Sequence, residues 1–95
     1  MYADFLRKDM RLVLLRILLE MPQYQANSSI LFTMVNQLGH SALREEVKTE
    51  LRWLEEQKLI SVEDVSSVML CRITPLGQDV AEGWAVVDGV ARPRA

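Results

Sequence analysis

The first twenty residues form a segment whose apolar side chains surround a helix on nearly every side. They contain neither glycine nor proline, and Pro22 stops the segment just past Glu20, so we predict one helix over residues 1–20. On a helical wheel only a narrow wedge is polar, and it includes Asp9 and Arg16. A helix of this kind has to be covered on nearly every side. It therefore predicts a central core helix, a homodimer seam, or both.

A second and a third helix are predicted on either side of a very tight turn. Residues 30–38 carry apolar side chains at helical spacing, and Gly39 stands where a helix ends. Ser41 is a suitable N-cap for a helix over residues 42–58. Two helices joined by a turn as short as residues 39–41 predict a helix-turn-helix unit.

The hydrophobic period changes after the third helix. Residues 60–63 alternate between apolar and polar side chains, and residues 68–74 are rich in β-branched and apolar ones, which is typical of strands. A two-stranded hairpin centred between the serines at 66 and 67 would place two cross-strand pairs on the core face: Ile60 with Ile73, and Val62 with Cys71. Because two serines make a poor two-residue turn, we expect a longer tip.

The last helix is predicted over residues 75–87, because Thr74 can cap a helix that has Pro75 at its first position. Gly89 would end this helix, and residues 90–95 are predicted to be a flexible tail. The element order is helix, helix, tight turn, helix, two-stranded hairpin, helix. It predicts a mainly α fold with a two-stranded β-hairpin, which is a winged helix-turn-helix domain over residues 1–89.

Two stretches resemble motifs of winged-helix transcription regulators. Residues 52–60, RWLEEQKLI, are similar to the end of a recognition helix, and residues 73–77, ITPLG, are similar to the segment after the wing. Taken whole, the chain resembles a small family of winged-helix proteins of Mu-like bacteriophages and prophages, often labelled as arsenic-repressor-type regulators. The resemblance implies a phage regulator that binds DNA. Arsenic sensors need several thiolates, whereas this chain has only Cys71, so metal sensing is not expected.

The third helix carries the candidate DNA-binding residues, because the second helix of a helix-turn-helix enters the major groove. Arg44, Lys48 and Arg52 recur every four residues and form one basic stripe. Arginine can bind guanine with two hydrogen bonds, and both residue types neutralise phosphates. Ser41 and Thr49 complete the predicted surface for double-stranded DNA.

The charge balance favours an alternative, a protein–protein interaction module or accessory phage protein that does not bind DNA. Residues 41–60 hold four bases and five acids, and residues 61–83 hold one base and four acids. The basic side chains of the third helix could therefore be solvated partners of its glutamates. With a net charge of −2, general coating of nucleic acid is excluded, and DNA binding would depend on a local patch.

We also expect a homodimer, because one short helix makes too few contacts for a specific DNA site. The first and last helices are the predicted interface, represented by four residues: Leu14, Leu15, Leu18 and Trp84.

Catalysis, a cofactor and a metal site are not expected. The single histidine, His40, falls in the predicted turn, and neighbouring glutamates diverge on a helix, which is poor geometry for an acid/base pair. The most apolar stretch, residues 12–19, is interrupted by Arg16 and is far shorter than the roughly 20 residues that span a bilayer. We therefore expect no membrane association and a location in the cytoplasm of a bacterial host cell.

Overall fold

A computed structural model describes residues 1–93, and these residues form four helices and three strands. The helices are α1 (Tyr2–Glu20), α2 (Ser28–Gln37), α3 (Arg44–Glu56) and α4 (Pro75–Glu82), and the strands are β1 (Gln25–Asn27), β2 (Ile60–Val65) and β3 (Val68–Ile73). A short 3-10 turn, Pro22–Tyr24, joins α1 to β1.

The sheet is antiparallel and three-stranded, in the order β1-β3-β2. The predicted two-stranded hairpin is therefore wrong. Strand β1 pairs with the second edge of β3, where Ala26 lies opposite Cys71. The hairpin alone would have left the polar groups of that edge unpaired. The resulting architecture, mainly α with a small sheet, is only loosely compatible with the winged helix-turn-helix fold expected from the sequence.

Within β2 and β3 the predicted register is confirmed. Ile60 lies opposite Ile73, and Val62 lies opposite Cys71. The expected longer tip is wrong, because the pairing continues to the end of both strands and leaves a turn of two residues, Ser66 and Ser67. Ser66 adopts a positive φ of 58°. Tight hairpin turns require a positive φ of at least one residue.

The core is built around α1. Its buried leucines contact apolar side chains from the other three helices and from the sheet. Ten side chains of the described residues are both large and fully buried: Leu14, Leu15, Leu18, Leu31, Val35, Val47, Leu51, Leu54, Leu59 and Cys71. None of the helices within residues 1–93 combines the length and the hydropathy that a membrane-spanning segment needs.

Helix α4 begins where the sequence predicts and ends earlier. The Thr74 side chain caps it by accepting a hydrogen bond of 3.0 Å from the Gly77 amide, which confirms the predicted start. Gly83 ends it in the left-handed conformation at φ 88°, so the predicted extension to residue 87 is wrong. An L side chain rarely adopts that backbone, whereas glycine adopts it at low cost.

The residues after α4 run back along α1. Arg11 donates a hydrogen bond of 2.9 Å to the Gly89 carbonyl, and the Ala91 amide donates one of 3.1 Å to the Lys8 carbonyl. Val90, where the predicted flexible tail begins, is buried in the core. The last two residues of that predicted tail, 94 and 95, lie outside the described residues.

Candidate nucleic-acid interface

The connection between α2 and α3 is longer than predicted and is held by side chains. Gly39 ends α2 with φ 108°, and the His40 amide reaches back to the Val35 carbonyl at 3.2 Å, which is a Schellman cap. The Asn36 side chain then bonds both the amide and the carbonyl of Ala42. These bonds hold residue 42 outside the helix.

Helix α3 consequently begins at Arg44, and the predicted start at residue 42 is wrong. Leu43, not Ser41, occupies the N-cap position. The Glu46 carboxylate accepts a hydrogen bond of 2.8 Å from the Leu43 amide, which satisfies one donor near the start of the helix. Ser41 remains exposed in the connection.

Most of the acidic side chains of α3 are occupied within the chain. Glu50 is buried and accepts a hydrogen bond of 2.6 Å from Arg11. Glu46 bonds the Leu43 amide, and Glu55 pairs with Arg52 at 3.2 Å. Of the five glutamates in residues 41–60, three therefore have partners other than Arg44 and Lys48.

Arg44 and Lys48 form no ion pair within residues 1–93 and lie side by side along one groove. The guanidinium carbon of Arg44 lies 4.5 Å from the centre of the Phe32 ring, and a guanidinium nitrogen lies 3.5 Å from Ser29 Oγ. Lys48 Nζ donates to the Ser67 carbonyl at 3.3 Å. We call the space between them the serine groove; its volume is about 340 Å³, and it is lined by Ser28, Ser29, Phe32, Arg44, Lys48, Ser67 and Val68.

Arg52, the third member of the predicted basic stripe, is held by acids. Its guanidinium donates to Asp64 at 2.5 Å and to Glu55 at 3.2 Å. These hydrogen bonds, with that to Asp64 the stronger, raise the pKa of Arg52 above its usual value. Its positive charge is therefore matched by two carboxylates on its own chain, and the structure separates it from Arg44 and Lys48.

The two remaining predicted residues lie on the other flank of α3. Ser41 and Thr49 are exposed and line a groove of about 490 Å³ that also contains Glu46 and Glu50. A polyanion would meet carboxylates there. His40, at the same groove, is held by Asp9 through a contact of 2.9 Å at Nε2.

The four residues predicted for a dimer interface differ in their exposure to solvent. Leu14, Leu15 and Leu18 are fully buried inside a single chain, so they offer no surface to a second copy, and any dimer seam has to be formed by other residues. Trp84 is 82% exposed. It borders an open groove of about 900 Å³ between α1, α2 and the end of α4, whose wall includes Val13, Met34 and Leu38.

Five residues of the serine groove were not among the sequence candidates: Ser28, Ser29, Phe32, Ser67 and Val68. None of these residues belongs to α3. Only the packing of α2 and the β2–β3 turn against α3 brings them to Arg44 and Lys48. The one local signal was the position of Ser29 at the start of α2, where hydroxyl residues are common.

Comparison with known proteins relates the whole chain to a bacteriophage protein. It is 44% identical over 94 residues to gp26 of Escherichia phage Mu, an uncharacterized protein, and the match covers 99% of this chain and 97% of gp26. An uncharacterized protein of Haemophilus influenzae is 42% identical over 62 residues, which are 65% of this chain and 60% of that protein. No family model and no solved structure matches the chain.

Proposed function

Because this chain belongs to the family of gp26 of phage Mu, we propose that it is a DNA-binding protein of a Mu-like bacteriophage or prophage that regulates transcription through α3. One observation carries the proposal. Arg44 and Lys48 line a groove that has no acidic residue in its described lining, although the protein as a whole is acidic. Two cations in such a setting attract a polyanion.

The proposed approach places the first turns of α3 in the major groove. The helix has 13 residues, which gives a length of about 20 Å, and the major groove admits a helix. Arg44 is its first residue, at the end of a reading helix that lies nearest the DNA, and its guanidinium would bind a backbone phosphate. Lys48, one turn further, would neutralise a phosphate as well.

Arg52 has a secondary role in this proposal. To read a base it has to exchange Asp64 and Glu55 for the DNA, and that exchange costs the interactions it already makes. We therefore assign the first contacts with DNA to Arg44 and Lys48. Arg52 would join only after the hairpin has moved or Asp64 has been neutralised.

A specific site requires more contacts than one α3 supplies, so the proposal includes a homodimer. Trp84 is exposed beside the groove between α1, α2 and the end of α4, which permits a two-fold dimer in which each indole enters the partner's groove. Arg16, Glu20 and Glu82 also line that groove, and none of them forms an ion pair within residues 1–93. Two-fold pairing would oppose each copy's Arg16 to the partner's acid.

The dimer is tested by sedimentation equilibrium. Trp84→Ser should shift the protein to monomer, whereas Tyr2→Ser, which removes another exposed aromatic side chain, should not. Arg16→Glu should weaken the dimer, and adding Glu82→Arg should restore it. A wild-type protein that remains monomeric at high micromolar concentration would refute this part of the proposal.

DNA binding is tested by fluorescence anisotropy on duplex DNA from the protein's own operon, titrated with salt. Removal of Arg44 or Lys48 should lower the slope of log K against log salt by about one for each phosphate that is no longer neutralised. Arg72→Ala is the matched control, because Arg72 is exposed on β3 outside the groove and its loss changes the net charge equally. Equal effects of all three variants would indicate non-specific attraction only.

The alternative function, a protein–protein interaction module, is favoured by the neutralisation of Arg52 and by the acidic side chains Glu63 and Asp64 on β2. The same experiment decides between the two. No binding to duplex DNA in low salt at micromolar protein concentration would leave the interaction module as the better interpretation.

A further inference from the structure

We propose that the serine groove is a seat for a single phosphodiester of a nucleic-acid backbone. The inference deepens the proposed function and rests on it, because it names the chemical group that the α3 surface would bind. It assigns a ligand to Ser29, Phe32 and Ser67 in addition to the two cations of α3. The seat is formed by α2, α3 and the β2–β3 turn together.

The charge of the groove selects an anion. Its described lining contains one arginine, one lysine and three serines, but no carboxylate. By contrast, the three grooves that α1 helps to line each contain at least one acid, such as Glu50, Asp9 or Glu82. Within residues 1–93, both basic residues of α3 that form no ion pair, Arg44 and Lys48, therefore lie in the serine groove.

Arg44 is oriented before any ligand arrives. Its guanidinium lies over the Phe32 ring at 4.5 Å and within 3.5 Å of Ser29 Oγ. Stacking on an aromatic ring restricts the planar group. Arginine has five N–H donors, and within residues 1–93 only the long contact to Ser29 uses one, so the others are available for two phosphate oxygens. Such paired hydrogen bonds are short and strong.

Lys48 is positioned from the opposite wall. It is half-buried, and its ammonium group donates to the backbone carbonyl of Ser67 at 3.3 Å. A carbonyl carries no net charge, so the ammonium charge is not cancelled, and two of its three donors remain. The contact also fixes the distance between α3 and the hairpin turn.

The third wall is attached to the sheet. Ser28 is buried, and its hydroxyl accepts a hydrogen bond of 3.1 Å from the Met69 amide. This bond joins the first residue of α2 to β3 and sets the width of the groove at Ser29. The positive end of the α2 dipole lies at the same place, and the Ser29 hydroxyl can donate to a phosphate oxygen.

The dimensions favour a diester over a free ion. A volume of about 340 Å³ is at the lower end of small-molecule sites and exceeds what one phosphate group fills. Arg44 and Ser67 are exposed, so the groove is open to solvent. A chain can therefore pass through it with a sugar on each side of the phosphate.

The test is an NMR titration of the full chain, labelled with nitrogen-15, against the dinucleotide dTpT, which carries one diester. The expected result is a saturable shift confined to the amides of Ser28, Ser29 and Ser67 and to Arg44 Nε. Inorganic phosphate is the second arm and should bind at least several-fold more weakly. Shifts that spread to Arg72 and Arg92, or that grow linearly without saturation, would overturn the inference.

Variants separate the role of charge from that of shape. Arg44→Lys keeps the positive charge but loses the stacking and the paired donors, and it should weaken dTpT binding several-fold. Arg72→Ala should leave binding unchanged. Ser29→Ala is an additional variant that leaves both cations in place, and it should also weaken binding. Unchanged binding in Arg44→Lys and Ser29→Ala together would refute the seat.

The outcomes for the seat and for the proposed function are distinguishable. If the duplex binds with the expected salt dependence but dTpT causes no local shift, the seat is wrong and DNA binding stands. If dTpT saturates the groove but no duplex binds in low salt, the seat stands and the proposed function is wrong. Inorganic phosphate binding as tightly as dTpT would contradict the assignment of a diester.

Discussion

Replacement of Glu50 by alanine is expected to destabilise the protein by about 3–5 kcal/mol, because it leaves a buried cation without its partner. Glu50 is 8% exposed, and its carboxylate accepts a hydrogen bond of 2.6 Å from Arg11, whose side chain is 11% exposed. Arg7, at 3.6 Å, is half exposed and contributes less. The loss should therefore come mainly from Arg11.

The surroundings of Arg11 place the cost toward the lower end of that range. Its guanidinium also donates to the Gly89 carbonyl and lies 3.8 Å from the centre of the Trp53 ring, so part of its lost solvation is replaced. A domain of this size has a stability of about 5–14 kcal/mol. A loss of about 3 kcal/mol lowers Tm by about 12 °C or more.

Urea unfolding followed by far-UV circular dichroism measures this loss. The matched control is Glu56→Ala on the same helix, because Glu56 is exposed and its removal should change the free energy of unfolding by less than about 0.5 kcal/mol. Replacing the buried pair together, with Arg11→Met and Glu50→Leu, should recover much of the stability. A change of under about 1 kcal/mol for Glu50→Ala would refute the reasoning.

Three further predictions concern the hairpin, the start of α4 and the buried thiol. Asp64→Asn should raise affinity for DNA and steepen its salt dependence, since it removes a negative charge and releases Arg52, as anisotropy would measure. Gly77→Ala should cost about 3 kcal/mol in urea unfolding, because a Cβ there overlaps the Leu59 carbonyl oxygen. Burial raises the pKa of the Cys71 thiol from its ordinary value of 9.0 to about 12. The unfolded chain therefore ionises first, and stability should fall between about pH 9 and 12, by at most about 1.4 kcal/mol per pH unit.

The predictions for Asp64 and Cys71 each have a matched control. Glu63→Gln removes the neighbouring acid and should increase affinity less than Asp64→Asn, because Glu63 holds no base within residues 1–93. Cys71→Ala should lose the part of the alkaline destabilisation that the thiol contributes, and an unchanged pH profile would contradict that assignment. A fully stable Gly77→Ala variant would mean that α4 can move away from Leu59 at little cost.

The sequence was sufficient for elements whose signal is local. The alternation in residues 60–63 and the β-branched run that follows determine both strands and their register, because a shift by one residue would turn the apolar side chains to solvent. Thr74 and Pro75 likewise set the start of α4 by local chemistry alone. The resemblance to proteins of Mu-like phages agrees with the relationship to gp26.

Elements that depend on distant contacts were missed. Strand β1 contains Gln25, Ala26 and Asn27, of which none is β-branched or aromatic, and it exists because β3 offers it an edge. The prediction for α4 was too long, because Trp84 and Val87 continue the apolar spacing of the helix. In the structure the left-handed Gly83 ends it. Spacing along a chain does not reveal a local change in backbone conformation.

The candidate site shows the same division. The basic stripe of α3 was visible in the sequence, but which member is free depends on partners far away in the chain. Glu50 is removed from the surface by Arg11, 39 residues before it, and Arg52 is neutralised by Asp64, 12 residues after it. Without knowledge of those contacts, only the net charge of α3 can be calculated from the sequence. The net charge does not reveal the serine groove.

The hydrogen bond from Arg11 to the Gly89 carbonyl joins residues 78 positions apart. During synthesis α1 leaves the ribosome well before the segment around Gly89 that covers this part of it. This part of α1 then remains without its final cover until that segment has been made, and exposed surface of this kind favours aggregation or binding by chaperones. Ribosome-stalled chains cut before residue 89 should therefore be more sensitive to protease than released full-length protein.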